Sequence, residues 1–175
     1  GFGDGTGDGD YITVADYDAD GDVDLLARKN SDDDLWDSDG AGTFTQSTWF
    51  DESFPNGDKG GVIFCDLDND GDLDLFKTSG GSGSNRLFEN TGSGLVEQGS
   101  FAGIADGDDT NGVDCGDVDH DGDLDLFIAG DEEHWLFLNS STTSSSGTTW
   151  SFTRDNSGIS GVNEAFGSVM ADLDR

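Results

Sequence analysis

The sequence predicts an all-β chain, a β-propeller of four-stranded antiparallel blades, present here as a partial propeller of three blades plus the start of a fourth. Three observations predict it. An acidic nine-residue motif begins at Asp16, Asp66 and Asp117, 50 and 51 residues apart, and self-similarity at such a period marks a stacked repeat. Around each motif lie four short apolar segments with no 3.6-residue periodicity, separated by Gly, Asn, Asp and Ser turns, as expected of short strands. The 28 glycines among 175 residues and the lack of a long amphipathic stretch leave room for helix only as short turns. One such blade cannot bury both its faces, so neighbours must stack on it, and radial stacking is the usual solution for four-stranded repeats.

Each repeat carries its elements in one order. A first strand, at 12–15, 62–65 and 113–115, leads into the acidic motif. A second follows at 23–27, 73–77 and 124–129. Leu35-Trp36, Leu87-Phe88 and Leu136-Phe137 mark the third, and the fourth lies near Phe44, near Leu95-Val96 and at 150–152. Residues 139–149, almost all Ser or Thr, read as a solvent loop between the third and fourth strands of the third repeat. Blade one is therefore 11–60, blade two 61–111 and blade three 112–164. Residues 1–10 read as the end of a preceding repeat and 165–175 as the start of a fourth blade, whose acidic motif opens with Asp172-Leu173-Asp174 and stops at Arg175. The chain reads as a piece of a longer repeat array, since a closed propeller has roughly 4 to 8 blades.

Composition narrows the function. With 39 acidic and 7 basic residues the formal charge is -32, which argues against nucleic acid as a direct partner. No run of about 18 apolar residues is present to span a membrane. Val, Ile, Leu and Phe make up little more than a fifth of the chain, close to the roughly 20 % floor below which a highly charged chain is expected to be disordered. Something besides apolar burial must hold it together.

The acidic motifs supply a candidate. In each, Asp stands at positions 1, 3, 5, 7 and 9 and Gly at position 6: Asp16, Asp18, Asp20, Asp22 and Asp24; Asp66, Asp68, Asp70, Asp72 and Asp74; Asp117, Asp119, Asp121, Asp123 and Asp125. Alternate residues of a tight loop face inward, so carboxylates from positions 1, 3, 5 and 9 surround one point, and the carbonyl of position 7 completes an oxygen-only cage. Such a cage suits a hard cation, and its flexible, carboxylate-rich geometry favours Ca²⁺ over Mg²⁺. The expectation is three complete Ca²⁺ sites and a truncated fourth at Asp172 and Asp174. Solvated acidic runs have no reason to keep Gly21, Gly71 and Gly122 in register. An EF-hand would need a bidentate Glu at position 12, where Ala27, Lys77 and Ile128 stand.

These residues resemble the FG-GAP/VCBS repeats that build β-propellers, including the integrin α-subunit head. The resemblance rests on the acidic loops with their following Val-Asp-Leu-Leu and Leu-Asp-Leu-Phe, on Asn85-Arg86-Leu87-Phe88-Glu89-Asn90, on the Gly103-Ile104 and Gly158-Ile159 pairs, and on Ala165-Phe166-Gly167. It implies a seven-bladed propeller, secreted or on the cell surface, with Ca²⁺ in the hairpin loops between the first two strands of each blade. Blade one departs from the pattern, with Asp33-Asp34-Leu35-Trp36 in place of Asn-Arg-Leu.

The remaining residues add little chemistry. Cys65 and Cys115 lie one and two positions before their loops, so the offset turns them to opposite faces of equivalent strands and predicts free thiols. His120 fills the variable position 4 of its loop and His134 opens a strand without a partner motif. Trp36, Trp49, Trp135 and Trp150 read mainly as packing between blades. Asn139-Ser140-Ser141 is an N-glycosylation sequon. The carboxylate pairs are accounted for as metal ligands, so no enzyme is expected. The expected function is an extracellular calcium-stabilised binding or adhesion module for a protein or glycan ligand. The alternative is a structural subunit of an extracellular assembly or filament, packing against identical copies, and a weaker one is a glycan-active hydrolase on the same fold. The residual acidity suits a high-salt or divalent-rich environment.

Overall fold

The computed structural model describes residues 9–29, 33–49, 60–79, 84–98, 104, 110–130, 133–155 and 167–171. Among them there is no helix, and the strands form three four-stranded antiparallel sheets and one added hairpin. Blade one is β1 (Gly9–Ala15), β2 (Asp24–Lys29), β3 (Asp33–Ser38) and β4 (Phe44–Gln46), in that spatial order. Blade two repeats it with β5 (Val62–Cys65), β6 (Asp74–Lys77), β7 (Arg86–Asn90) and β8 (Leu95–Glu97). Blade three uses β9 (Thr110–Gly116), β10 (Asp125–Gly130), β11 (His134–Asn139) and β14 (Phe152–Asp155). The chain is a partial propeller of such blades.

The expected Ser/Thr loop is instead a hairpin, β12 (Thr142–Ser144) paired with β13 (Gly147–Thr149). Polarity suggested a loop, but threonine favours strands. The exposed Thr143 and Thr148 hydroxyls bond at 3.0 Å across the pair, and Gly147, at φ 114°, allows the reversal.

Register explains why the second strands read as unbroken apolar runs. Leu75 and Phe76 are neighbours on β6 and both are buried, Leu75 in the core shared with blade one and Phe76 in the core shared with blade three. A strand pleat sends successive side chains to opposite faces, and here each face meets another sheet. Tyr17, Leu26 and Leu35 meet Val62, Leu75 and Phe88 between blades one and two. Cys65, Phe76 and Leu87 meet Val113, Leu126 and Ile128 between blades two and three, with Trp135 and Phe137 beside them.

The first strands lie side by side, β1 against β5 and β5 against β9. Glycine permits this close approach. A Cβ on Gly61 would stand 2.9 Å from Val113 N, and one on Gly112 2.9 Å from Gly167 Cα, both closer than real Cβ contacts allow. On the side of β1 away from blade two, Ile12 and Val14 are 71 % and 60 % exposed, whereas their counterparts Val62 and Phe64 pack into the core shared with blade one.

The cysteines correct the sequence reading, because Cys65 and Cys115 form a disulfide. The offset does turn them to opposite faces of equivalent strands. Neighbouring blades, however, present opposite faces to each other, so the offset is what brings the two sulfurs into one interface.

At the end of the second strands away from the acidic loops, a buried ionic cluster joins blades one and two. Lys77 pairs with Asp33, and the Arg28 guanidinium lies 3.9 Å from the same carboxylate while donating to the carbonyl oxygens of Thr78 at 2.8 Å and Gly61 at 3.1 Å. Asp33 occupies the slot that Asn85 fills in blade two, which accounts for blade one's departure from the Asn-Arg-Leu pattern. Asn85 uses neutral partners there, accepting from Ser79 N and Thr110 Oγ1 at 2.9 Å and donating to Ile104 O at 2.8 Å.

Candidate metal centre

The three acidic loops connect β1 to β2, β5 to β6 and β9 to β10, and they share one backbone conformation. Position 4 is left-handed in each, with φ of 59° at Ala19, 59° at Asn69 and 63° at His120, and position 6 is Gly21, Gly71 or Gly122 at φ 97° to 99°. An L side chain at position 6 would be strained, which is why glycine recurs there. Residues as different as Ala, Asn and His share position 4 because the side chain there is exposed.

Local hydrogen bonds set the carboxylates. Position 1 accepts from the position-6 amide, as in Gly21 N to Asp16 at 3.0 Å, Gly71 N to Asp66 at 3.1 Å and Gly122 N to Asp117 at 3.2 Å. Position 3 accepts from the amide of position 5, and position 5 from that of position 7. Three carboxylates per loop then offer oxygens within 4.8 Å of one another: Asp16, Asp18 and Asp24; Asp66, Asp68 and Asp70; Asp117, Asp119 and Asp125. Asp20, Asp74 and Asp121 stand in their loops outside these closest groups. The position-7 side chains turn elsewhere. Asp22 packs where a Cβ on Gly40 would fall, Asp72 lies toward Gly92, and Asp123 accepts from Asn69 Nδ2 at 2.7 Å. Asp172 and Asp174 lie outside the described residues.

Position 9 has a second task that the spacing did not reveal. Asp24, Asp74 and Asp125 are 2 %, 0 % and 0 % exposed. Asp74 accepts from the amides of Leu67 at 3.0 Å and Asn90 at 2.9 Å, and Asp125 from Val118 at 2.8 Å and Asn139 at 2.9 Å. Asp24 does the same with Tyr17 at 3.3 Å and Ser38 at 2.9 Å. This carboxylate ties position 2 of its loop to the end of the third strand. A carboxylate has about four lone-pair sites, so each oxygen keeps one for a cation.

Burial and mutual repulsion raise the loop carboxylates. Burial pushes the Asp74 carboxyl up to about 8, and the neighbouring Asp68 and Asp70 charges add to it. Asp18, Asp24, Asp70 and Asp119 are raised as well, by burial first and by other loop carboxylates. Asp16 Oδ1 and Asp66 Oδ1 are buried and accept no hydrogen bond among the described residues. A buried carboxylate oxygen without a donor is costly, and a hard cation would satisfy it. The donor sets, all oxygen, fit such an ion.

Two further residues at loop two escaped the sequence reading. Thr148 Oγ1 of β13, from blade three, donates to Asp68 at 2.5 Å and lies 3.4 Å from Glu89. The Glu89 carboxyl is raised by burial and then by Asp68. No spacing rule connects a hairpin of one repeat to the loop of another.

His120 is exposed at its position 4, and the Nδ1 of His134 accepts from Gly130 N at 3.3 Å. Trp135 is 2 % exposed in the core between blades two and three. Trp49 and Trp150 pack at the edges of the two cores. The Asn139 side chain is buried, donating to Leu67 O at 2.7 Å and Leu124 O at 3.0 Å, so both hydrogens of the amide that a glycan would modify are engaged.

A search of curated proteins found no match. The pattern of the FG-GAP-like repeat matches residues 16–77 and again 78–128. The first match includes two acidic loops and the second includes one, and together they cover more than half of the chain. The chain belongs to the FG-GAP-like repeat family.

Proposed function

We propose that the protein is a calcium-stabilised propeller segment that serves as an extracellular binding or adhesion module for a protein or glycan ligand, without catalytic activity. The observation that carries the calcium reading is the pair of buried, donorless oxygens Asp16 Oδ1 and Asp66 Oδ1 at equivalent positions of two loops. Ca²⁺ would be held by carboxylates of positions 1, 3, 5 and 9 and by the position-7 carbonyl. The ion supplies charge compensation, and the residues around it fix the turn between the first two strands of a blade.

The disulfide supports an oxidising, extracellular setting, since structural disulfides are rare where thiols are kept reduced. Three bound Ca²⁺ would leave most of the -32 charge in place, which fits a saline or divalent-rich medium better than a dilute one. The binding reading draws on the fold: rigid blades carry loops at their ends, and such loops are where ligands are met. Calcium titration by calorimetry tests the first part, with three sites expected in protein freed of bound ions beforehand. A glycan array and a pull-down from extracellular material test the second, with a signal that chelator abolishes. Self-assembly at modest concentration without any such signal would favour the structural-subunit reading instead.

A further inference from the structure

The Cys65–Cys115 disulfide lies between two acidic loops. Cys65 ends β5 and directly precedes Asp66, the first residue of loop two, while Cys115 in β9 stands two residues before Asp117, the first of loop three. The bond therefore pins together the strand ends that carry position 1 of both loops. Two non-covalent links run between the same regions: Asn69 Nδ2 donates to Asp123 at 2.7 Å, and Asn139 Nδ2 donates to the Leu67 carbonyl at 2.7 Å. Loop one has Val14 and Ala15 in the slots of the cysteines. Its ties to blade two at this end among the described residues include a hydrogen bond from Asn90 to Tyr17 O and the stacking of Tyr17 on Phe64.

We propose that the Cys65–Cys115 disulfide and calcium at loops two and three are thermodynamically coupled, so that the oxidised bond favours calcium binding there and bound calcium protects the bond from reduction. The proposal rests on the calcium reading of the loops. Without an ion, crowded carboxylates push each loop open and drive the ends of β5 and β9 apart. The disulfide excludes the widest of those separations, which lowers the ordering cost of closing the loops around an ion. Calcium in turn holds the closed arrangement, in which Cys65 is 2 % exposed within the apolar layer between blades. Cys115 is only partly buried at the edge of the same layer, so the protection is one of equilibrium and not of access. Coupling of two equilibria is reciprocal, so the factor by which oxidation strengthens calcium binding equals the factor by which calcium resists reduction.

The chemistry balances with a dithiol as reductant. One of its thiolates attacks a cystine sulfur and releases one protein thiolate, and its second thiolate then attacks the mixed disulfide and releases the other. The dithiol becomes a cyclic disulfide, and its two electrons and two protons end as thiols on Cys65 and Cys115. A reducing extracellular dithiol would thus weaken calcium binding at loops two and three and leave loop one unaffected.

The test uses the whole chain. Calorimetry of the oxidised protein first counts calcium sites. The protein is then equilibrated in dithiothreitol redox buffers, with saturating calcium or with chelator, and alkylation followed by mass measurement gives the reduced fraction. Calcium is expected to shift the midpoint ratio of reduced to oxidised dithiothreitol at least about tenfold, or about 30 mV, toward stronger reduction. Asp70→Ala in loop two should diminish that shift, and Asp20→Ala in loop one should leave it in place. Equal midpoints with and without calcium, in a protein that binds calcium, would overturn the coupling alone, as would equal loss of the shift in both variants. An oxidised protein that binds no calcium would overturn the calcium reading and the coupling with it. The redox titration of the unmodified chain decides the matter even if a variant does not fold.

Discussion

The side-chain amide of Asn90 in blade two donates to the carbonyl oxygen of Tyr17, position 2 of the acidic loop of blade one, at 2.8 Å. The same amide reaches Leu73 O at 3.2 Å, and its backbone N–H donates to Asp74 at 2.9 Å. Asn139 repeats the arrangement one blade further on, with Leu67, Leu124 and Asp125 as partners. One asparagine thus fastens the loop of its own blade to the loop of the preceding one.

Replacing Asn139 by Ala leaves the buried carbonyl of Leu67 and the partly buried one of Leu124 without that donor. The expected cost is about 1–3 kcal/mol, read as a lower urea midpoint. The same engagement predicts that Asn139 carries no glycan in the folded protein, despite the sequon. Peptide mapping of material made in a glycosylating host should find it unmodified.

The ionic cluster between blades one and two makes a second prediction. Asp33 is 8 % exposed and stands between Lys77 and Arg28. Asp33→Ala removes the carboxylate that two buried cations share and should cost about 3–5 kcal/mol. Asp33→Asn restores the blade-two residue but not the charge, so it should remain destabilised. Recovery of wild-type stability in Asp33→Asn would show that the slot needs a hydrogen-bonding shape and no ion pair.

Lys77 also gives the protein a signature in alkaline solution. Burial lowers its ammonium to about 8, the Arg28 and Arg86 charges act in the same direction, and Asp33 opposes them. The folded-state value is thus below the unfolded one. Between about pH 8 and 10.5 the unfolded chain binds a proton that the folded chain does not, so this residue's contribution to stability rises with pH there. It is fully present above the unfolded value and is lost as pH falls through 8. The span corresponds to about 3 kcal/mol. Urea unfolding of wild type and Lys77→Met at both ends of the window should show their difference changing by about that amount in favour of wild type, and a constant difference would contradict the assignment.

The blades and loops were legible in the sequence because each depends on local rules repeated three times. Asp at alternate positions and Gly at position 6 imply one turn, and an apolar run after each turn implies a buried strand. Relations between blades were less legible. The cysteine offset turns the side chains to opposite faces of equivalent strands, and the bond forms because neighbouring sheets present those opposite faces to each other. Asp33 broke the Asn pattern, and its reason lies in Lys77, 44 residues away. The close approach of first strands through Gly61 and Gly112 was missed too, though both stand five residues before their loops and Gly167 precedes Asp172 by the same interval. The ladder pairing of β12 and β13 was hidden because polar composition alone does not separate an exposed hairpin from a loop.

Under the proposed calcium reading, ions in the acidic loops hold these blades together. Binding to the folded state alone adds roughly 2.7 kcal/mol per site at a hundredfold excess of ion over the dissociation constant, so three sites are substantial against a typical stability of about 5–15 kcal/mol. The most direct measurement is a thermal melt of the oxidised chain with saturating calcium and with excess chelator. Calcium should raise the midpoint by at least about 10 °C, chelator should reverse the gain, and Asp70→Ala should remove about a third of it. Superimposable melting curves with calcium and with chelator would contradict the account.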